Sequence, residues 1–446
     1  MSSLNELPEQ VSAQIAPLLP AHSSILIGLS GGVDSVVLLH LLHKLSARFS
    51  WQLSALHVHH GISRHADEWA RFCAELCARH HIPLHIEHVD IEPLRAQGIE
   101  AAARRLRHAA FARQSCDFVA LAHHADDQVE TLLLQLLRGA GVRGAGAMPQ
   151  FADRPGSVPL VRPLLRCSRQ EILDYAAAHD LQWIEDESNA DDNYPRNFLR
   201  HRVLPLLDKK FPAYRDTLAR SARHFAEASG LLDELAQQDA AQTIEGETLA
   251  VEALQALSPP RAKNLLRYFL HSAGAPMPQE MQLDDMLRQL CGARKDAAVC
   301  IAYGNWQVRR YQGKAYALRA LGEFDRSLAL PWHGEAELDW PALNTQLHFK
   351  HTESTGIGLT KLQRAPVTLR LRQDGETLRP HPNGPMRTLK NLLQERKIPP
   401  WYRDRLPLLY CGEELVGAPG IAIAAEYQAS EDESGVQLAY GFKSEY

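Results

Sequence analysis

Six residues, Ser30-Gly31-Gly32-Val33-Asp34-Ser35, lie between a short apolar run, SILIGL, and a helix-like segment that begins near Asp34. Two adjacent glycines let the backbone turn sharply and bring its N–H groups against an anion. A helix N-terminus adds unsatisfied N–H groups and the positive end of its dipole. Ser30 and Ser35 add hydroxyls. Asp34 is out of place among phosphate donors alone. It fits a site that also takes Mg²⁺, an ion that is held by oxygen ligands beside phosphates. The loop lacks the lysine of the G-x-x-x-x-G-K-[ST] phosphate loop. The expected chemistry is nucleotide binding, with all six residues toward ATP and Asp34 also toward the metal.

A second cluster is His123-His124-Ala125-Asp126-Asp127-Gln128-Val129-Glu130. At helical spacing Asp126, Asp127 and Glu130 crowd one helix end. Acids in a first turn are favoured by the dipole alone, which accounts for one or two of them. It does not account for His-His before Asp-Asp. Mg²⁺ ligation, amine recognition and general base work are all open to this set. His123, Asp126, Asp127 and Glu130 join Asp34 as catalytic candidates, and His124 joins Arg104 on the ATP side.

Basic groups recur. Arg104 and Arg107 share one helix, Arg138 ends another, and Arg196 and Arg200 flank Asn197 at i, i+4 spacing, suited to phosphate or carboxylate; Arg107, Arg138, Arg196, Asn197 and Arg200 are the candidates for contacts to an RNA or amino-acid substrate. A solvated basic face is the plain alternative. Arg370, Arg372, Lys390, Arg396 and Arg403 crowd the tail with Trp401 and Tyr402 among them, a composition suited to RNA phosphates and stacked bases. Two patterns mislead. Gly139–Gly144 fits G-x-G-x-x-G but follows a helix, so it fails the context of a dinucleotide loop. His57, His59 and His60 have no Cys or carboxylate pattern beside them and read better as hydrogen-bonding groups at a strand end than as metal ligands.

The elements that must position these residues alternate. Strand patterns at 24–29, 53–59, 84–89 and 117–122 are separated by helix patterns at 34–45, 67–80, 100–114 and 126–137. That alternation predicts a doubly wound parallel sheet covered on both faces, with ligands beyond the strands' carboxyl ends. The motifs fall at those ends. From about 216 the pattern turns helical, with a hairpin at 299–317 centred on Gly304-Asn305. A small α/β region follows. The expected divisions are 1–216 for ATP and catalysis, 217–320 mainly helical, and 321–446 for basic RNA contacts.

The 446 residues suit two or three domains, and a net charge of -5 gives no global reason to expect nucleic acid, so local patches must supply it. No apolar run is long enough for a membrane span, and no signal peptide is apparent. Seven cysteines without zinc or disulfide spacing imply reduced thiols in a cytoplasm.

The order HVHHGI, EAAARRLRH, LAHHADDQVET, RGAGVRG, VRPLL, WIEDESN and YPRNFLRHRVLP, with LRLRQDGETLRP and TLKNLLQERKIPPWYRDRLPLL in the tail, resembles the tRNA(Ile)-lysidine synthetases. The loop itself resembles the SGG-x-DS pyrophosphate loop of the ATP pyrophosphatases. Three positions depart from the common pattern: His59, Ser63 and His108. The resemblance implies an adenine nucleotide α-hydrolase-like fold. It also implies a reaction in which ATP adenylates the position-2 oxygen of the wobble cytidine of a CAU-anticodon tRNA(Ile). Free L-lysine then displaces AMP. ATP and Mg²⁺ are the implied cofactors, and an oligomer is compatible with it. A thiolating enzyme on the same loop would need a Cys pair or persulfide Cys, and none has supporting pattern. A non-catalytic nucleotide-binding regulator would need neither the His-Asp cluster nor the basic tail.

Overall fold

The structure is a computed structural model and describes residues 6–61, 63–153, 157–187, 191–294, 297–343 and 345–442. Ser188 and Asn189 of the WIEDESN motif lie outside the described residues. The chain divides into two compact units, 1–232 and 233–446.

The first unit runs α1 (Glu6–Ile15), β1 (Ser24–Gly28), α2 (Val33–Phe49), β2 (Gln52–His59), α3 (Ala66–Arg79), β3 (Leu84–His88), α4 (Ile99–Ala112), β4 (Phe118–Ala120) and α5 (Ala125–Leu137). Then come α6 (Val142–Ala145), β5 (Phe151–Ala152), β6 (Leu160–Val161), α7 (Arg169–Ala178), α8 (Pro195–Phe198), α9 (Leu204–Lys210) and α10 (Tyr214–Ala241), the first unit ending at Leu232. The sheet order is β3-β2-β1-β4-β6-β5. All neighbours are parallel except β5, which pairs antiparallel with β6 at the edge.

Burial on both faces explains the central strand. Ile25 and Ile27 of β1 pack with Val36, Leu38 and Leu42 of α2, while Leu26 between them packs with Leu56, Phe111 and Val119. Side chains alternate across a strand, so one apolar run serves two cores. The chain leaves β1 toward β2 and β3, then returns to add β4 on the other side of β1. The reversal opens a crevice at the carboxyl ends of β1 and β4. The strand–helix alternation read from the sequence is the observed one, with ends shifted by at most four residues.

In the second unit, helices Val251–Ala256, Pro259–Ser272 and Glu280–Gly292 pack on a five-stranded sheet through Leu265, Leu266, Leu283, Met286 and Val308. The expected hairpin is Val299–Tyr303 paired with Trp306–Tyr311, turning at Gly304 with φ +57°, and Lys314–Arg319 extends it. Beyond it lie a five-stranded and a four-stranded antiparallel sheet around Trp332, Leu347, Leu369 and Val436. No helix of the described residues is long and apolar enough to cross a membrane.

Candidate active site

The loop after β1 is shaped by its own side chains. Gly31 has φ +89°, a conformation that L side chains rarely adopt, and a Cβ there would lie 2.7 Å from Ile184 Cδ1. Its carbonyl accepts from Ile184 N at 2.9 Å. Ser35 Oγ accepts from Ser30 N and Gly31 N at 3.2 and 3.1 Å and donates to Gly32 O at 2.9 Å. Ser35 therefore braces the loop from inside. Gly32 caps α2, and Val33 is buried beneath it.

Asp34 stands in the first turn of α2. Its Oδ2 lies 3.8 Å from His124 Nε2 and 3.6 Å from Arg169 Nη1. Its Oδ1 is buried and has no hydrogen-bond partner. Burial pushes its carboxyl above the usual range, against the pull of His124 and Arg169.

His124 caps α5. Its backbone N–H donates to Asp127 Oδ2 at 3.0 Å, and its ring, 1% exposed, faces Asp34, Asp126 and Asp127. Burial holds His123 neutral, its pKa drawn down to about 3. Burial opposes the charge on Asp127, but His124 and then Arg196 hold its pKa below the ordinary value.

The acids of α5 are committed to arginines. Glu130 is fully buried, yet it accepts from Arg196 Nε at 2.6 Å and from Arg200 Nε at 2.7 Å. Arg196 Nη2 also reaches Asp127 Oδ1 at 3.1 Å. Two carboxylates thus face two guanidiniums, the arrangement that a buried ion pair requires. The arginines come from α8 and from a π-helical turn, Leu199–Val203. Asp126 points elsewhere: it accepts from Arg215 Nε at 2.6 Å and from Arg169 N at 3.0 Å.

A cleft of about 920 Å³ opens over these groups. Ser30, Gly32, Asp34, Ser35, Arg104, Arg107, His123, Asp127, Arg196, Asn197 and Arg200 line it, with His57, His59 and His60 from the end of β2. Gly31, Val33, His124, Asp126 and Glu130 lie behind it. Arg138 is exposed at the far end of α5. Asp186 and Glu187 also line the cleft. Arg169, which stands beside Asp34, and Arg215, which holds Asp126, carry no motif of their own in the sequence and are seen only once α7 and α10 are placed. The nearby thiols are poor nucleophiles: burial raises Cys73 and Cys167 to about 12 and Cys77 to about 11.

In the second unit the tail cations differ among themselves. Arg370 donates to Glu413 Oε2 at 2.8 Å and to Gly412 O at 2.7 Å, and Arg372 pairs with Asp374. Arg403 is buried and donates to Ile398 O and the Tyr311 hydroxyl, each at 2.7 Å. Trp401 packs edge-on against Tyr311 and Tyr316. Three of the five predicted RNA contacts are therefore held by the chain itself. Lys390 and Arg396 are exposed, Arg396 making one long hydrogen bond, 3.4 Å, to Ile421 O.

Residues 5–207 match a PP-loop domain, 249–316 a TilS substrate binding domain and 367–440 a TilS substrate C-terminal domain. A tRNA(Ile)-lysidine synthase of Nitrosomonas europaea is 43% identical over 93% of this chain and 91% of its own. One from Azoarcus is 42% identical over 94% and 92%, and one from Coxiella burnetii 38% over 94% and 93%. A solved U34-tRNA thiolase of Methanococcus maripaludis aligns with a TM-score of 0.44 and 19% identity over 50% of this chain and 80% of its own, too slight a likeness to bear on function. With identity near 40% sustained along almost the whole chain and three matched domains in order, the protein belongs to the tRNA(Ile)-lysidine synthase family.

Proposed function

We propose that the protein joins free L-lysine to position 2 of the wobble cytidine of a CAU-anticodon tRNA(Ile), in two steps on one site. The cytidine O2 attacks the α-phosphorus of ATP, and pyrophosphate leaves. The lysine side-chain amine then attacks C2. The C2–O2 bond breaks, AMP departs with that oxygen, and the amine loses its protons to solvent or a site base. The order is chemically required, because a ring carbonyl oxygen leaves as AMP but not as oxide.

The observation that carries this reading is Asp34 at the mouth of the glycine loop, with one buried carboxylate oxygen unpartnered. That bare oxygen fits Mg²⁺, which takes one or two carboxylates plus phosphates and waters. Mg²⁺ would supply charge neutralisation on the triphosphate. The loop N–H groups and the α2 N-terminus bind the phosphates, with Ser30 among them. His123, neutral, offers a hydrogen-bonding edge without adding charge. Asp127 is the acid on the cleft wall that an incoming ammonium meets, and Glu130 anchors Arg196 and Arg200 beside it. Lysine's amine has an unperturbed pKa of about 10.4, so it must be bound by acids and deprotonated to react.

In this reading residues 1–216 carry ATP chemistry, and 217–320 and 321–446 carry the tRNA. Seven unpaired thiols suit a cytoplasmic location. Incubation with ATP, Mg²⁺, lysine and unmodified tRNA, followed by mass analysis of the nucleosides, tests it. Lysidine formed only when all are present is expected. ATP cleavage without lysine incorporation overturns it.

A further inference from the structure

We propose that Arg169 is the pyrophosphate-binding cation of this site, parked on Asp34 until Mg²⁺ and ATP arrive. The inference rests on the reading above and adds a residue to it. Four arginines gather behind the loop and the α5 cap. Three are committed: Arg196, Arg200 and Arg215 each donate to a carboxylate at 2.6 or 2.7 Å. Arg169 differs. Its Nη1 stands 3.6 Å from Asp34 Oδ2, beyond a good hydrogen bond, and its guanidinium makes no hydrogen bond among the described residues. Its side chain is 41% exposed.

The backbone of Arg169, by contrast, is fixed. Its N–H donates to Asp126 Oδ2 at 3.0 Å, and Asp126 is held in turn by Arg215. The neighbouring Ser168 caps α7 with Glu171, and Cys167 O accepts from Ala125 N at 2.8 Å, joining the starts of α7 and α5. A rigid base thus carries a long cation with five N–H donors to the acid that the Mg²⁺ reading assigns to metal. A cation so placed competes with Mg²⁺ for Asp34. With the Asp34 carboxylate given over to Mg²⁺, the Arg169 guanidinium would be repelled from it and left to find another anion. The nearest new anion is the leaving pyrophosphate at the loop, which a planar fork can hold through two N–H groups.

The test is binding of pyrophosphate with Mg²⁺ to the full chain by calorimetry, alongside product inhibition by pyrophosphate of tRNA-dependent ATP cleavage. Arg169→Ala is expected to weaken both by about tenfold or more. Arg169→Lys is expected to recover part of the loss, having charge without the fork. Thermal unfolding is expected to stay near that of the parent, because the guanidinium makes no hydrogen bond among the described residues. Unchanged pyrophosphate binding with a lowered Mg²⁺ requirement would make Arg169 a counter-ion only and overturn the proposal. Weakened tRNA binding with intact pyrophosphate binding also overturns it, since the cation then serves RNA. If the parent chain itself forms no lysidine, the broader reading fails instead, while pyrophosphate binding still judges Arg169.

Discussion

Glu130, fully buried, and Arg196, 66 positions later, meet at 2.6 Å, and Arg200 closes on the other carboxylate oxygen at 2.7 Å. Removing the charge from one partner of a buried pair strands the other. Glu130→Gln is therefore expected to cost about 3 kcal/mol, seen as a several-degree fall in Tm. Arg196→Ala and Arg200→Ala singly are expected to cost less, since each leaves one guanidinium on Glu130. Equal Tm for Glu130→Gln and the parent would show that the quartet contributes nothing net.

Much of this arrangement was open to reading in the chain, and the limit lies in pairing. Period-two apolar runs and glycine punctuation place β1, the loop and α2 within a few residues, because those signals are local. The spacing of Asp126, Asp127 and Glu130 nominates a cluster, again locally. What spacing cannot tell is that Asp126 turns away to Arg215 while Glu130 sinks beneath Arg196 and Arg200. Those partners lie 66 to 89 positions off, and only the packing of α8 and α10 on α5 decides them. The tail shows the same limit. Arg370 and Arg403 look like phosphate contacts in sequence, yet Glu413 and Tyr311 hold them.

Asp34→Ala is expected to abolish tRNA-dependent pyrophosphate release while leaving the fold intact. Its carboxylate makes no hydrogen bond in the described structure, so little intrinsic stability rests on it. Asp34→Asn separates charge from shape: it keeps the volume and loses the metal affinity. Pyrophosphate release near the parent's rate in either folded variant would remove Asp34 from the site.

Acid lability is expected from the back of α2. His40 Nδ1 lies 3.0 Å from the Tyr175 hydroxyl, and the rings of His80 and His179 lie 5.9 and 5.1 Å away. Lys44 and His43 face it from its own helix. Burial first, then Lys44 and the other histidines, draw the His40 pKa down to about 4. A histidine with a depressed folded pKa binds protons more readily when unfolded. Stability is therefore full above the ordinary value of about 6.5 and falls as pH drops toward 4. His40→Gln is expected to flatten that fall, measured as urea midpoints at pH 7 and pH 5. An unchanged slope would place the acid lability elsewhere.

The last prediction separates tail cations that hold the fold from those free to meet RNA. Arg403 is buried against Ile398 O and Tyr311, so Arg403→Ala is expected to lower the stability of the second unit. Lys390 sits exposed in the helix Leu389–Glu395, and Arg396 lies exposed directly after it, its Nη2 only 3.4 Å from Ile421 O. Lys390 extends from a helix fixed by Leu389, Leu392 and Leu393, and Arg396 is the residue that caps it, so they share one mount. If each contacts one phosphate, losing both lowers the slope of log affinity against log salt by about 1.4 to 1.8. The variant carrying Lys390→Ala and Arg396→Ala should therefore bind tRNA more weakly at low salt and converge on the parent as salt rises. ATP binding should be untouched, since the loop lies in the other unit. A parallel downward shift with the parent's slope would mean that these side chains act through shape and not through phosphate charge. Unchanged affinity at every salt concentration would take both residues out of the RNA surface.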